Sequence, residues 1–296
     1  MLIHSLRLFC DLVQTQSFTE TAHRHYLTQS AVSHHIKSLE EKFGHRLVER
    51  GRRQVRLTRA GALVLEASQD IVRRYEQLEH ALTKPPGEVA GRLRVGSIYT
   101  VGLYDLPRYT TIFLRRYPKV DLLLTYLKDM EVYEAVLTDR IDVGIVDHPK
   151  PHPQLSIVHF KNEPVVLIVP PTHPWAAKKR VHLAQLHGQP FIVPQAEFPI
   201  DEILRKTSVR VKVVHAFENI EITKRAVEVG LGLALVPRIT IEDEIQRGKL
   251  KALELVEGPF KRSIGILTRK RAELSLPARK LVELLVAPLK TRTRRP

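Results

Sequence analysis

The chain has 296 residues, with 47 Lys and Arg against 32 Asp and Glu and a formal charge of +15. Apolar residues at 43% and charged residues at 27% give the balance of a folded globular protein, which excludes disordered and collagen-like chains. No apolar run reaches the roughly 18 residues of a membrane-spanning helix, so the basic excess points to a polyanionic partner, nucleic acid before an anionic membrane surface.

At about 100–200 residues per domain, the length predicts two or three domains. The opening stretch has a charge inside its apolar run and no small-residue cleavage site, so it does not read as a secretory leader. The lone Cys10 can form no internal disulfide, which fits a reducing compartment, the cytoplasm.

Charge is concentrated at the amino end. Residues 1–60 hold ten Lys and Arg against five acids, together with six histidines, whereas residues 61–90 are net acidic. The carboxyl end, residues 290–296, is basic and reads as a solvated tail.

In the first segment Ile3, Leu6, Phe9 and Val13 recur at helical spacing, with Cys10 as a small buried neighbour. The run Ser17, Phe18, Thr19, Glu20 has the pattern of a capping box and predicts a second helix to about Tyr26. Thr28 is placed to cap a third helix that turns Ala31, Val32, Ile36, Leu39 and Phe43 inward and ends at Gly44. Two helices joined by so short a turn form a helix-turn-helix. The outward face of the third helix then carries Gln29, Ser30, Ser33, His34 and Lys37, polar groups suited to base edges and phosphates in the major groove. An ordinary solvated face is the plain alternative. It is weakened by the next segment, two short strands around an arginine-rich turn with Arg50, Arg52 and Arg53, a wing able to meet phosphate or the minor groove.

The stretch FTETAHRHYLTQSAVSHHIKSLEEKFGHRLVER, followed by RRQVRLTRAG, resembles the winged helix-turn-helix of LysR-type transcriptional regulators. The resemblance implies DNA contacts from Gln29, Ser30, Ser33 and His34, with Arg52 and Arg53 on backbone or minor groove. Thr28, Lys37 and Arg50 complete the DNA-facing set. The sequence departs from the family pattern at Ser30, where proline is common, and at His34 and His35, where Arg-Gln is usual. Arginine can bind guanine through two hydrogen bonds and histidine cannot, a difference of about 1–3 kcal/mol in discrimination. The paired histidines are not expected to bind metal, because neighbours on a helix diverge. Their protonation near pH 6.5 would add charge beside phosphate and raise DNA affinity modestly below that pH.

Thr58 can cap a fourth helix over residues 59–82. Val64, Ile71 and Leu78, interleaved with Ser68, Tyr75 and Leu82, form a heptad seam that predicts chain pairing. Residues 84–87 then break the helix as a hinge. The resemblance implies the same pairing helix, a dimer of dimers, promoter DNA as partner and contact with RNA polymerase.

From residue 91 strand-like runs (93–97, 120–127, 142–147, 164–169, 191–193, 211–217, 233–236) alternate with helical stretches (103–117, 130–139, 199–207, 220–229, 238–246). They predict an α/β domain with largely parallel strands. Strand 263–268 and helix 276–289 are expected to return to the first lobe. The fold class expected is therefore an N-terminal all-α winged helix-turn-helix (1–58), a long linker helix and hinge (59–90), and a C-terminal α/β two-lobed domain (91–296). Its lobe I covers about 91–160 and 263–290, and its lobe II about 161–262. By resemblance this last domain is built like a periplasmic binding protein and holds a small effector.

Ligands in such sheets sit at the carboxyl ends of strands. The candidates there are Ser97, Thr100, Lys128, Asp129, Asp147, Pro194, Gln195 and Asn219. By resemblance Ser97, Thr100 and Gln195 lead, although Ser97 and Thr100 could serve as helix caps. Helix amides and Lys128 favour a small anion, a carboxylate for example. The segment His148 to His152 reads as a lobe-crossing loop. No nucleophile elbow, P-loop or zinc-protease motif is present, so no catalytic residue, resident metal or cofactor is expected. The expected function is a sequence-specific transcriptional regulator modulated by a small molecule. The alternatives are a nucleoid-architectural protein and a solute-binding module.

Overall fold

The computed structural model describes residues 2–50, 55–83, 88–194, 209–270 and 273–287, and the chain divides into two compact units, 1–88 and 89–296.

In the first unit α1 (Leu2–Thr15), α2 (Phe18–Arg24) and α3 (Gln29–Phe43) enclose a core of Leu6, Leu8, Phe9, Leu12, Ala22, Val32, Ile36 and Leu39. The Ser17 hydroxyl accepts from the Glu20 amide at 3.2 Å and so caps α2. The other half of the expected capping box does not form. The Glu20 carboxylate pairs with Arg24 one turn on, and the Ser17 amide donates to Thr15. Thr28 caps α3 through the Ala31 amide at 3.2 Å, and Gly44 ends it with φ of 68°. Phe43, expected inside, is exposed as the last residue of α3, past the stretch whose Val32, Ile36 and Leu39 are buried.

Strands β1 (Val48–Arg50) and β2 (Val55–Leu57) pair antiparallel. The Thr58 hydroxyl donates to the Arg46 carbonyl and accepts from the Gly61 amide at 2.9 Å, which opens α4 (Arg59–Thr83). A Cβ at Gly61 would meet the Leu47 carbonyl oxygen at 2.0 Å, so only glycine lets α4 start this close to the wing.

The predicted α4 seam divides. Ser68 is buried, 1% exposed, and Val64 packs on the domain's own core. Ile71, Tyr75, Leu78 and Leu82 stay exposed.

In the second unit an eight-stranded sheet runs β4 (Val120–Tyr126), β3 (Gly91–Ser97), β5 (Val143–Asp147), β12 (Lys261–Arg269), β6 (Leu155–Val169), β11 (Lys251–Leu255), β7 (Arg180–Val181), with β10 (Ala234–Pro237) also on β6. Strands β8 (Pro190–Pro194) and β9 (Lys212–Phe217) form a separate parallel pair.

The helices are α5 (Tyr99–Tyr104), α6 (Leu106–Arg116), α7 (Asp129–Leu137), α8 (Ile220–Glu228), α9 (Glu242–Gln246) and α10 (Leu276–Val286). The expectation of largely parallel strands needs correction. β3 is parallel to β4 and β5, but β12 runs antiparallel to β5 and β6, and β10 and β11 run antiparallel to β6.

The cause is the long β6. Residues 155–164 pair with β12, and residues 165–169 pair with β10 and β11. One strand thus leaves the first lobe and founds the second, and β12 brings the chain back. The crossing therefore occurs inside β6, and the segment His148 to His152 is a connection within the first lobe, not a lobe-crossing loop. Separate apolar cores lie in each lobe, one around Leu93, Phe113 and Ile266 and another around Leu167, Phe191 and Leu253. The hinge at 84–87, the helix expected at 199–207 and the basic tail fall outside the described residues.

Candidate DNA-binding face and effector cleft

The inner face of α3 is fixed by Val32, Ile36 and Leu39. Its opposite side leaves Thr28, Gln29, Ser30, His34 and Lys37 exposed and Ser33 half-buried. Thr28 and Ser30 share a 2.9 Å hydroxyl contact, and Lys37 stands 3.6 Å from Glu41 on the next turn, a solvated pair of little energetic weight. Arg50 ends β1, while Arg52 and Arg53 lie outside the described residues.

The two histidines part company. His34 faces solvent, whereas His35 turns toward α1, its Nδ1 2.9 Å from the Ser5 hydroxyl and its ring edge-on to His4 at 5.2 Å. Of the pair, His34 is the one that lies on the exposed face of α3. Burial, then His35, His25 and Arg7, hold His4 below the usual histidine range.

One residue on this surface went unread in the sequence. Tyr26, in the turn, is 97% exposed and has a φ of 54°. An aromatic residue in that backbone region is uncommon and marks a position worth explaining.

In the second unit Ser97 ends β3, fully buried, and its hydroxyl donates to the Ile98 carbonyl at 3.0 Å. Thr100 is buried in the first turn of α5 and accepts from Arg262 Nη1 at 3.0 Å. Neither serves as a helix cap, since the cap position of α5 belongs to Ile98, which makes no side-chain bond.

Arg262 is fully buried. It binds Glu163 at 2.6 Å and stands 3.8 Å from Asp147, which ends β5. Lys161 contacts both Asp105 and Glu163. Burial pushes Asp105 up to about 7, with Glu163 adding to the shift. Burial would also raise Glu163, but the Arg262 guanidinium outweighs it, and with Asp105 and Lys161 holds that carboxyl down at about 2.

Asp129 opens α7, and burial followed by the charge of Asp147 lifts it to about 6. Lys128 precedes it and reaches Glu218 at 3.2 Å, across to the second lobe. Asn219 caps α8 by accepting from the Glu221 amide at 2.7 Å. Pro194 closes β8, and Gln195 lies outside the described residues. The structure thus gathers Thr100 and Asp147 around Arg262, brings Asp129 beside Asp147, and sets Lys128 against the loop before Asn219.

Among the described residues no group of three or more His, Cys, Asp or Glu could hold a metal ion. No described helix is long and apolar enough to cross a membrane.

Comparison with known proteins finds a family match for each of the two units. A family model described as a bacterial regulatory helix-turn-helix protein of the lysR family matches residues 3–62, and one described as the LysR substrate binding domain matches residues 86–289. The HTH-type transcriptional activator CmpR of Synechocystis sp. is 28% identical over 289 residues, covering 96% of this chain and 95% of that protein. The RuBisCO operon transcriptional regulator of Allochromatium vinosum is 28% identical over 277 residues, covering 92% and 91%. Among solved structures, a full-length OxyR variant from Pseudomonas aeruginosa shares the fold at a TM-score of 0.77 and 23% identity, covering 97% of this chain and 93% of that one. The CcmR regulatory domain of Synechocystis PCC6803, solved in complex with 2-PG, has a TM-score of 0.63 and 25% identity, covering 68% of this chain and 99% of that one.

Proposed function

The chain belongs to the LysR family of bacterial transcriptional regulators, and on that premise we propose how its residues divide the work. α3 enters the major groove, where Thr28, Gln29, Ser30, Ser33, His34 and Lys37 meet base edges and phosphates. Arg50, Arg52 and Arg53 hold the flanking backbone. The observation that carries this reading is the division of α3 into a core-locked apolar face and an exposed face of hydrogen-bonding side chains.

Pairing through α4 supplies the second half-site. Its exposed Ile71, Tyr75, Leu78 and Leu82 recur at heptad spacing, with Leu82 78% exposed. The assembly we propose is a dimer of dimers that contacts RNA polymerase in the cytoplasm, acting by binding and not by catalysis. A Leu78→Asp, Leu82→Asp double variant is expected to sediment as monomer.

The effector sits at the carboxyl ends of β3 and β5, beside Ser97, Thr100 and Asp147, with Lys128, Asp129, Pro194, Gln195 and Asn219 around it. A small anion is the class we propose. Lys128 is exposed and exchangeable from Glu218, and 2-PG, the molecule in the CcmR complex, is the first compound to titrate. Binding alters lobe closure and hence the spacing of the paired DNA-binding units, for which coupling of about 1–3 kcal/mol suffices.

The test is fluorescence anisotropy of the full chain on a duplex from upstream of its own gene and on a composition-matched random duplex, at fixed salt. Binding tighter by about a thousand-fold on the first, a preference reduced about ten-fold or more in Gln29→Ala, is expected. Equal affinity for both would favour an architectural protein.

A further inference from the structure

Helix α5 has only six residues, yet both of its ends are held by polar contacts to different parts of the domain. At its first turn Thr100 accepts from Arg262, on the strand that returns the chain from the second lobe. Just past its last turn Asp105 receives the Lys161 ammonium, from the strand that leaves for that lobe.

Its last residue, Tyr104, reaches the second lobe itself. The phenol donates to Glu221 and accepts from Lys224 Nζ at 2.7 Å. The rings of Tyr99 and Tyr104 pack on the second lobe's apolar cluster around Val166, Ile168 and Ile220.

Lys224 is almost fully buried. Four acceptors surround its three protons: Tyr104, the Thr240 carbonyl at 2.8 Å, Glu221 at 2.9 Å and Glu244 at 2.8 Å. An ammonium with more acceptors than protons keeps all its bonds when one acceptor leaves. Tyr104 can therefore be released without stranding a buried charge, which is what a contact that opens and closes requires.

We propose that α5 is a strap between the lobes, with Thr100 and Tyr104 as positioning residues that tie the state of the cleft at one end to the grip on the second lobe at the other. The proposal rests on the reading of this cleft as the effector site. A change of the cleft that draws Arg262 away from Thr100 frees the first turn of α5. The loosened helix then slackens the Tyr104 contact with α8. Lys128 and Glu218, an ion pair between the lobes among the described residues, are exposed on both sides and add little to the closed state.

Hydrogen exchange of the full chain without ligand tests the strap. Thr100→Val is expected to speed exchange of the α8 amides, on the far lobe, by about ten-fold. Thr100→Ser, which keeps the hydroxyl, should restore the wild-type rate there. In the reverse direction, Tyr104→Phe keeps the ring but loses the phenol, and should speed exchange at Gly102, whose amide bonds Ile98 in the first turn. That variant also carries the test should Thr100→Val not fold. Changes confined to the mutated end in both directions, or a Thr100→Ser variant as fast as Thr100→Val, would overturn the proposal. Because no effector is present, the result judges the strap alone, and the effector reading stands or falls on the titration described above.

Discussion

Arg262 and Glu163 form a fully buried ion pair at 2.6 Å where two neighbouring strands, β6 and β12, carry the chain between the lobes. The same guanidinium reaches Thr100 at 3.0 Å and Asp147 at 3.8 Å. A single cation therefore serves three partners, two of them carboxylates, where water has no access.

Breaking that arrangement is costly because it strands charge. Arg262→Ala leaves Glu163 and Asp147 without their guanidinium, and the expected loss is about 3–5 kcal/mol of effector-domain stability. Urea unfolding followed by intrinsic fluorescence measures it. Arg262→Met, similar in volume but equally unable to pair, should lose nearly as much, which separates the charge from packing.

The acid beside this pair titrates in reach of experiment. Asp105 is raised from its usual value near 4 to about 7. Between those values the folded chain holds a proton that the unfolded chain has released. Stability contributed by this group is therefore full below about pH 4 and is lost as pH rises through 7. Asp105→Asn keeps the shape and removes the titration. The difference in unfolding free energy between wild type and variant should move by about 1–3 kcal/mol from pH 5 to pH 7.5, in favour of the variant at the higher pH. No change in that difference would show that Asp105 is ionised throughout.

The helix-turn-helix was readable because its signals are local. Ser17, Thr28 and Thr58 cap helices within three residues of themselves, and the α3 period separates inside from outside without help from distant chain. The crossing of lobes was not readable for the opposite reason. The first ten residues of β6, among them Ser156, His159, Lys161, Asn162 and Glu163, look like an exposed loop. They become strand only because β12, about a hundred residues away, lies beside them. β11, with its two lysine and glutamate positions turned outward, was missed in the same way. Arg262, next to Lys261 in the sequence, has the pattern of a surface residue, and only the fold shows which of the two is buried. Thr100, read as a strand-end position, lies instead in the first turn of α5, and its partner comes from 162 residues downstream.

Tyr26 offers a test in which stability and binding move apart. Its φ of 54° costs a tyrosine about 1 kcal/mol that a glycine would not lose. Among the described residues its ring is left almost fully exposed, with no burial to compensate. Tyr26→Gly should therefore raise the midpoint of thermal unfolding of the DNA-binding unit. If the ring lies against the sugar-phosphate backbone beside the amino end of α3, the same variant should weaken promoter binding several-fold. Unchanged affinity together with raised stability would make Tyr26 a plain solvated turn residue.

Whether the exposed face of α3 reads base sequence is decided by selection from a pool of random duplexes with the full chain. The wild-type chain is expected to enrich two half-sites related by a two-fold axis. His34→Arg should shift one position in each half-site toward guanine, a change of about 1–3 kcal/mol, and Gln29→Ala should blur its neighbours. Recovery of a pool with no shared motif, equally by the wild type and both variants, would contradict the account.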